Sequence, residues 1–121
     1  MLSVELDEGK GIALLEPDGP LSQGDFEAAA KLIDPHIEKT GQLNGLVIHT
    51  QAFPGWDSFA GLSSHLKFVK EHHKKISRIA IATDSVIGRL GESIASHFMN
   101  AEIKEFSFQE LEQAKAWAAG V

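Results

Sequence analysis

Six histidines have the widest chemical range of any residues in this 121-residue chain: His36, His49, His65, His72, His73 and His97. Imidazole ligates metals and moves protons near neutral pH, but either role needs several groups to converge. His65 and His72 are seven apart and can share a helix face, yet no pair has the i, i+4 spacing that brings two imidazoles to one ion, and HExxH is absent. No metal site and no cofactor are expected, and ordinary surface or boundary positions account for most of these rings. His49 is different because it ends the apolar run Leu43 to His49, and strand carboxyl ends in open parallel sheets face the crevice where ligands bind. A polar residue closing a buried strand is the plainer reading of the same position. Nucleophiles are no better supported. The chain has no cysteine and no Gly-x-Ser-x-Gly, and Gly88 to Ser93 lacks the Gly-Lys-Ser/Thr ending of a phosphate loop. The expectation is a protein that is not an enzyme.

Binding chemistry is concentrated in residues 50 to 75. TQAFPGWDSFAG, Thr50 to Gly61, sets Phe53, Trp56 and Phe59 beside Pro54, Gly55 and Gly61, although loops run over the surface and meet water. The helix expected next, from about Ser58 to His73, has an apolar stripe of Phe59, Leu62, Leu66 and Val69. Lys67, Lys70, Lys74 and Lys75 occupy its other faces. Phe68 falls off the stripe and so needs a second surface, either a dimer partner or a bilayer. The chain carries a net charge of −6, but between Gly61 and Arg78 five basic residues oppose the single Glu71, so this segment holds +4 and the remainder −10. Overall acidity argues against nucleic acid as a partner, since phosphates require a basic face. A basic amphipathic helix with aromatic flanks suits an anionic membrane interface. Hinged at Pro54-Gly55 and Gly61, the same helix could also lift from the sheet and open a cavity. Phe53, Trp56, Phe59, Leu62, Leu66, Phe68 and His49 are therefore the candidate contacts for an apolar or lipid-like molecule, with Trp56, Lys67, Lys70 and Lys74 facing the membrane.

These residues need a scaffold, and the hydrophobic pattern supplies one. Leu2 to Leu6 and Gly11 to Glu16 read as a hairpin around Asp7-Glu8-Gly9-Lys10. Ser22 and Asp25 have capping-box spacing at the head of a helix that buries Phe26, Ala29, Ala30, Ile33 and Ile37 and closes at Gly41. Pro35 should kink or split that helix. Leu43 to His49 and Ile76 to Thr83 read as core strands, and Glu102 to Phe108 as an edge strand. A further helix begins at Asp84 or Ser85 and turns Ile87, Leu90, Ile94 and Phe98 inward. Ser107 and Glu110 box a C-terminal helix that buries Leu111, Ala114 and Trp117 or Ala118. The expected order is ββαβαβαβα: a single-domain α/β fold over residues 1–121, with a mixed, mainly parallel five-stranded sheet and about four helices. The first apolar stretch, Gly11 to Leu15, is too short for a signal or membrane segment, which points to a cytoplasmic location; the 53–75 segment adds the expectation of peripheral membrane association.

The run FPGWDSFAGLSSHLKFVKEHHKKISRIAIATDS resembles the SpoIIAA-like bacterial proteins. Phe53, Gly55 and Trp56 match that family's F-x-G-W loop, Leu66-Lys67-Phe68 its following helix, and Arg78-Ile79-Ala80-Ile81 with Asp84 its core strand. AEIKEFSFQELEQAKAWA is similar to its closing strand and helix, so the likeness covers essentially the whole chain. It implies a small STAS-like α/β domain, related in fold to CRAL-TRIO lipid carriers, often a homodimer, that binds apolar ligands and associates with membranes. It also implies the alternative of a protein-interaction module of the anti-sigma-factor-antagonist type. Such antagonists carry a phosphorylated serine in D-x-S-G-L, whereas this chain has Asp57-Ser58-Phe59-Ala60-Gly61-Leu62. Ala60 stands where that serine would be, and Ser58 is placed to cap the helix, so no phosphorylation switch is expected.

Overall fold

In a computed structural model of the chain, residues 2–52, 64, 67–68, 71–72, 75–84 and 102–120 are described. The chain opens with strands β1 (Leu2–Asp7) and β2 (Ile12–Pro17), paired antiparallel from Leu2↔Pro17 to Asp7↔Ile12. Helix α1 (Gln23–Thr40) follows, then β3 (Leu43–His49), β4 (Ile76–Ala82), β5 (Glu102–Phe106) and helix α2 (Leu111–Ala119). The five strands form one mixed sheet in chain order, β1-β2-β3-β4-β5. β2/β3, β3/β4 and β4/β5 are parallel, so the antiparallel hairpin sits at one edge as the alternation of element types requires. Of the helices expected between β3 and β4 and between β4 and β5, the first is represented by helical Ser64, Lys67, Phe68, Glu71 and His72. The second, with Ile87, Leu90, Ile94 and Phe98, lies outside the described residues.

Local chemistry sets the bounds of α1. The Ser22 hydroxyl accepts from the Asp25 amide at 3.2 Å while the Asp25 carboxylate accepts from the Ser22 amide at 2.8 Å, completing the capping box. Gly41 ends the helix at φ 90°, a left-handed conformation that costs glycine little. The helix runs unbroken through Pro35, so of the kink or split expected there the split does not occur. The carbonyl released by the missing Pro35 N–H belongs to Lys31, which is exposed and can bond water, while Ile33, His36 and Ile37 on either side are buried.

Two apolar layers flank the sheet. On one side Phe26, Ala29, Ile33 and Ile37 of α1 pack over Leu15, Leu46, Ile79 and Ile81, joined by Phe68. On the other, Ala114 and Ala118 of α2 cover Ile12, Val47, Ala80 and Ala82. Complete burial of a side chain such as Ile33 or Ile79 contributes roughly 1.5–3 kcal/mol. The second layer is thin because its side chains are small. A Cβ built on Gly45 would stand 2.3 Å from the Ala118 carbonyl oxygen, so glycine at this position in β3 is what allows α2 to lie against the strand. Arg78 fastens the same helix: its guanidinium donates to the Trp117 carbonyl at 2.8 Å and lies 5.3 Å from the centre of the indole. The expected box at the head of α2 is displaced. The Glu110 carboxylate accepts from the Ser107 amide at 2.9 Å, but the helix starts at Leu111, beyond it.

Candidate functional site

The carboxyl ends of β2, β3 and β4 and the turn after β5 bring polar groups together on one rim of the sheet. His49, last in β3, is placed there by its register opposite Ala82. Its Nδ1 lies 2.8 Å from the Glu16 carboxylate at the end of β2, and its Nε2 lies 2.9 Å from the Phe108 carbonyl. The imidazole stacks on the Phe108 ring with centroids 4.2 Å apart and planes 8° from parallel. Both neighbours are hydrogen-bond acceptors, so either ring nitrogen finds a partner within the chain when it carries a proton. Both ring nitrogens face partners within the chain. The rim is reinforced by Thr83, whose hydroxyl donates to the Gln51 carbonyl at 3.1 Å, and by Asp84, which accepts from the Phe108 amide at 3.2 Å. Strands here follow one another in chain order, so this sheet lacks the reversal that forms a switch-point crevice. His49 holds strand ends together.

A second cluster joins α1 to the helical residues before β4. Phe68 is buried, with its ring 6.1 Å from that of Phe26 and stacked at 4.2 Å on His72. This corrects the expectation that Phe68 falls off the inward stripe and needs a dimer partner or bilayer. Phe68 and His72, four apart, both point inward, while Lys67 and Glu71 are exposed. Phe26, contributed by another helix, is the surface Phe68 meets. His72 is only 4% exposed and His36 is buried as well, so these two rings depart from the surface or boundary placement expected for most of the six. The His72 ring again faces two acceptors, with Nδ1 2.7 Å from the Phe68 carbonyl and Nε2 against the Asp34 carboxylate. An open groove of about 340 Å³ runs over this pair, lined by Asp34, Ile37, Glu38, Glu71, His72 and Lys75. Despite that lining, no group of three or more potential ligands among the described residues is placed to hold a metal ion.

Of the residues expected to bind a ligand or membrane, His49, Phe68 and Lys67 are described, and the structure does not bring His49 and Phe68 together as one site. Phe53, Trp56, Phe59, Leu62, Leu66, Lys70 and Lys74 lie outside the described residues. Sequence reasoning missed Glu16, Phe108 and Asp34 as histidine partners. They lie 33, 59 and 38 positions from the rings they contact, and no local pattern signals such pairings. Among the described residues, no helix is long and apolar enough to cross a membrane.

Comparison with known proteins agrees with this architecture. No curated protein matches the chain. A crystal structure of an uncharacterised DUF3478-family protein from Shewanella loihica PV-4, described as having a SpoIIAA-like fold, superposes with a TM-score of 0.71. It is 20% identical, and the alignment covers 98% of this chain and 92% of that one, a likeness of fold. The SpoIIAA-like family profile matches residues 12–119, from the first residue of β2 to the last of α2. With its sheet, its flanking helices and nearly its whole length matched, the chain belongs to the SpoIIAA-like family.

Proposed function

We propose that this chain is a non-catalytic binding domain for an apolar or amphipathic, lipid-like molecule, with peripheral attachment to anionic membranes through residues 53–75. The observation that carries this reading is the two-sided character of the helical residues before β4. Phe68 and His72 anchor inward on α1, while Lys67 and Glu71 face water. With Phe68 held in the core, Lys67 faces outward in a segment that holds a net +4, and basic segments of this kind are attracted to anionic headgroups. Phe53, Trp56, Phe59, Leu62 and Leu66 supply the apolar contacts, and Lys67, Lys70 and Lys74 the attraction. Co-sedimentation with vesicles containing anionic phospholipid tests it. The wild type binds at low salt and is released at high salt, and Trp56→Ala binds less; no wild-type binding, or full binding by Trp56→Ala, rejects the membrane reading. Native mass spectrometry of the purified protein tests the ligand directly through co-purified lipid.

Family membership favours a second reading, a protein-interaction module of the anti-sigma-factor-antagonist type without a phosphorylation switch. Recovery of one stoichiometric protein partner, together with lipid-free protein by mass spectrometry, would favour it over the first.

A further inference from the structure

We infer that Asn44 is a site of spontaneous covalent modification, deamidation by water, which the attachment of the N-terminal hairpin to β3 holds in check. Asparagine and glycine are both depleted in strands, yet Asn44 and Gly45 stand together near the start of β3. Each has its own structural reason to be there, independent of any ligand. A Cβ at position 45 would meet the Ala118 backbone, so packing requires glycine. At position 44 the side-chain amide donates to the Lys10 carbonyl at 3.0 Å. The main-chain amides of Asn44 and Gly45 both donate to the Gly11 carbonyl, at 2.8 and 3.3 Å. Together these bonds fasten the turn between β1 and β2 to the third strand.

The same pair is chemically reactive. When the Gly45 main-chain nitrogen gives up its proton, it attacks the side-chain carbonyl carbon of Asn44. A C–N bond forms, the bond to the side-chain NH2 breaks, and the departing nitrogen takes up a proton and leaves as ammonia. Water then opens the resulting cyclic imide at either carbonyl, giving aspartate or isoaspartate with no change of oxidation state. A following glycine lets the ring close most readily, because it has no side chain to crowd the attacking nitrogen. Asn44 is exposed, so water reaches it. What β3 withholds is geometry. Closure needs the chain to turn the Gly45 nitrogen toward the Asn44 side chain, but Gly45 is held extended between Ile12 of β2 and Arg78 of β4. The attacking and the departing nitrogen are also both committed to hairpin carbonyls. The reaction therefore runs from molecules in which this corner has opened, and its products do not restore the fastening. Ionised aspartate has no N–H for the Lys10 carbonyl, and isoaspartate adds a carbon to the main chain of β3. Deamidation at Asn44 is a one-way record of hairpin opening.

Ageing the 121-residue chain at mildly alkaline pH, in buffer and in concentrated urea, with peptide mapping by mass spectrometry, tests this. Asn100, the other asparagine of the chain, precedes alanine and is the internal control. In urea, position 44 should convert to a mixture of aspartate and isoaspartate well ahead of position 100. In buffer, conversion at 44 should be slower by at least about tenfold, as for chemistry that waits on local opening. No excess of conversion at 44 over 100 in urea overturns the site, and equal rates at 44 in urea and in buffer overturn its protection by the fold. Converted molecules carry an added negative charge, so anion exchange separates them from the rest. Returned to buffer, they should exchange hydrogen faster at the Gly11 and Gly45 amides than unconverted protein does; equal protection in the two forms overturns the fastening role.

Discussion

Asp25 joins two elements with one carboxylate. It accepts from the amides of Ser22 and Leu2, and so ties the start of α1 to the start of β1. Burial pushes the carboxyl up, but the hydrogen bonds from the Ser22 amide and hydroxyl and the Leu2 amide together outweigh it and hold it below the ordinary value of 3.8. A depressed folded-state pKa means stability that is fully present above the unfolded value and lost as pH falls through the folded one. Asp25→Asn should therefore be less stable than the wild type at neutral pH, by about 1 kcal/mol as for a lost cap, and the gap should close below pH 3.8. Urea melts of both proteins at neutral and acidic pH measure it; a gap of equal size at both rules out the carboxylate as its source. This box was legible because its two members are three residues apart. The His49 clamp was not, since Glu16 and Phe108 reach it only after the sheet has formed.

Among the elements, the strands were the most legible, and hydrophobic pattern is the reason. LNGLVIH and ISRIAIA are short apolar runs that only a sheet covered on both faces can bury, and β3 begins and ends where its pattern does. The orientation of the helical residues before β4 was less legible. A one-dimensional stripe through Leu62, Leu66 and Val69 excluded Phe68, but Phe26 of α1 rather than the sheet alone sets what counts as inward. Phe68→Ala should then behave as a core truncation and cost about 3 kcal/mol by chemical denaturation. A loss within about 0.5 kcal/mol would place Phe68 on the surface. Gly45→Ala probes the opposite layer. Its methyl would meet the Ala118 backbone, which cannot rotate away, so we expect a loss of about 2 kcal/mol and weakened packing of α2. Protection of the α2 amides from hydrogen exchange should fall first, and unchanged protection would mean that the helix does not need the glycine.

For the whole molecule, charge is distributed so that its sum misleads. An overall −6 would repel an anionic surface, but residues 61–78 hold +4. Attraction that must come from one patch on an otherwise acidic body is short-ranged. The screening length falls from about 10 Å at 0.1 M salt to about 3 Å at 1 M, so vesicle binding should drop steeply across that interval. Binding that persists unchanged at 1 M would assign the contact to apolar insertion alone.

The sheet's chain-order arrangement has a further consequence, for the time during which the protein is made. Each strand pairs with the one synthesised just before it, so the sheet can lengthen from its N-terminal hairpin as the polypeptide emerges, without waiting for a distant partner. The exception is α2, the last element to appear and the cover of Ile12, Val47, Ala80 and Ala82. Until it docks, those four apolar side chains lack the cover that Ala114 and Ala118 give them, and that interval is when a nascent molecule is most in need of a chaperone.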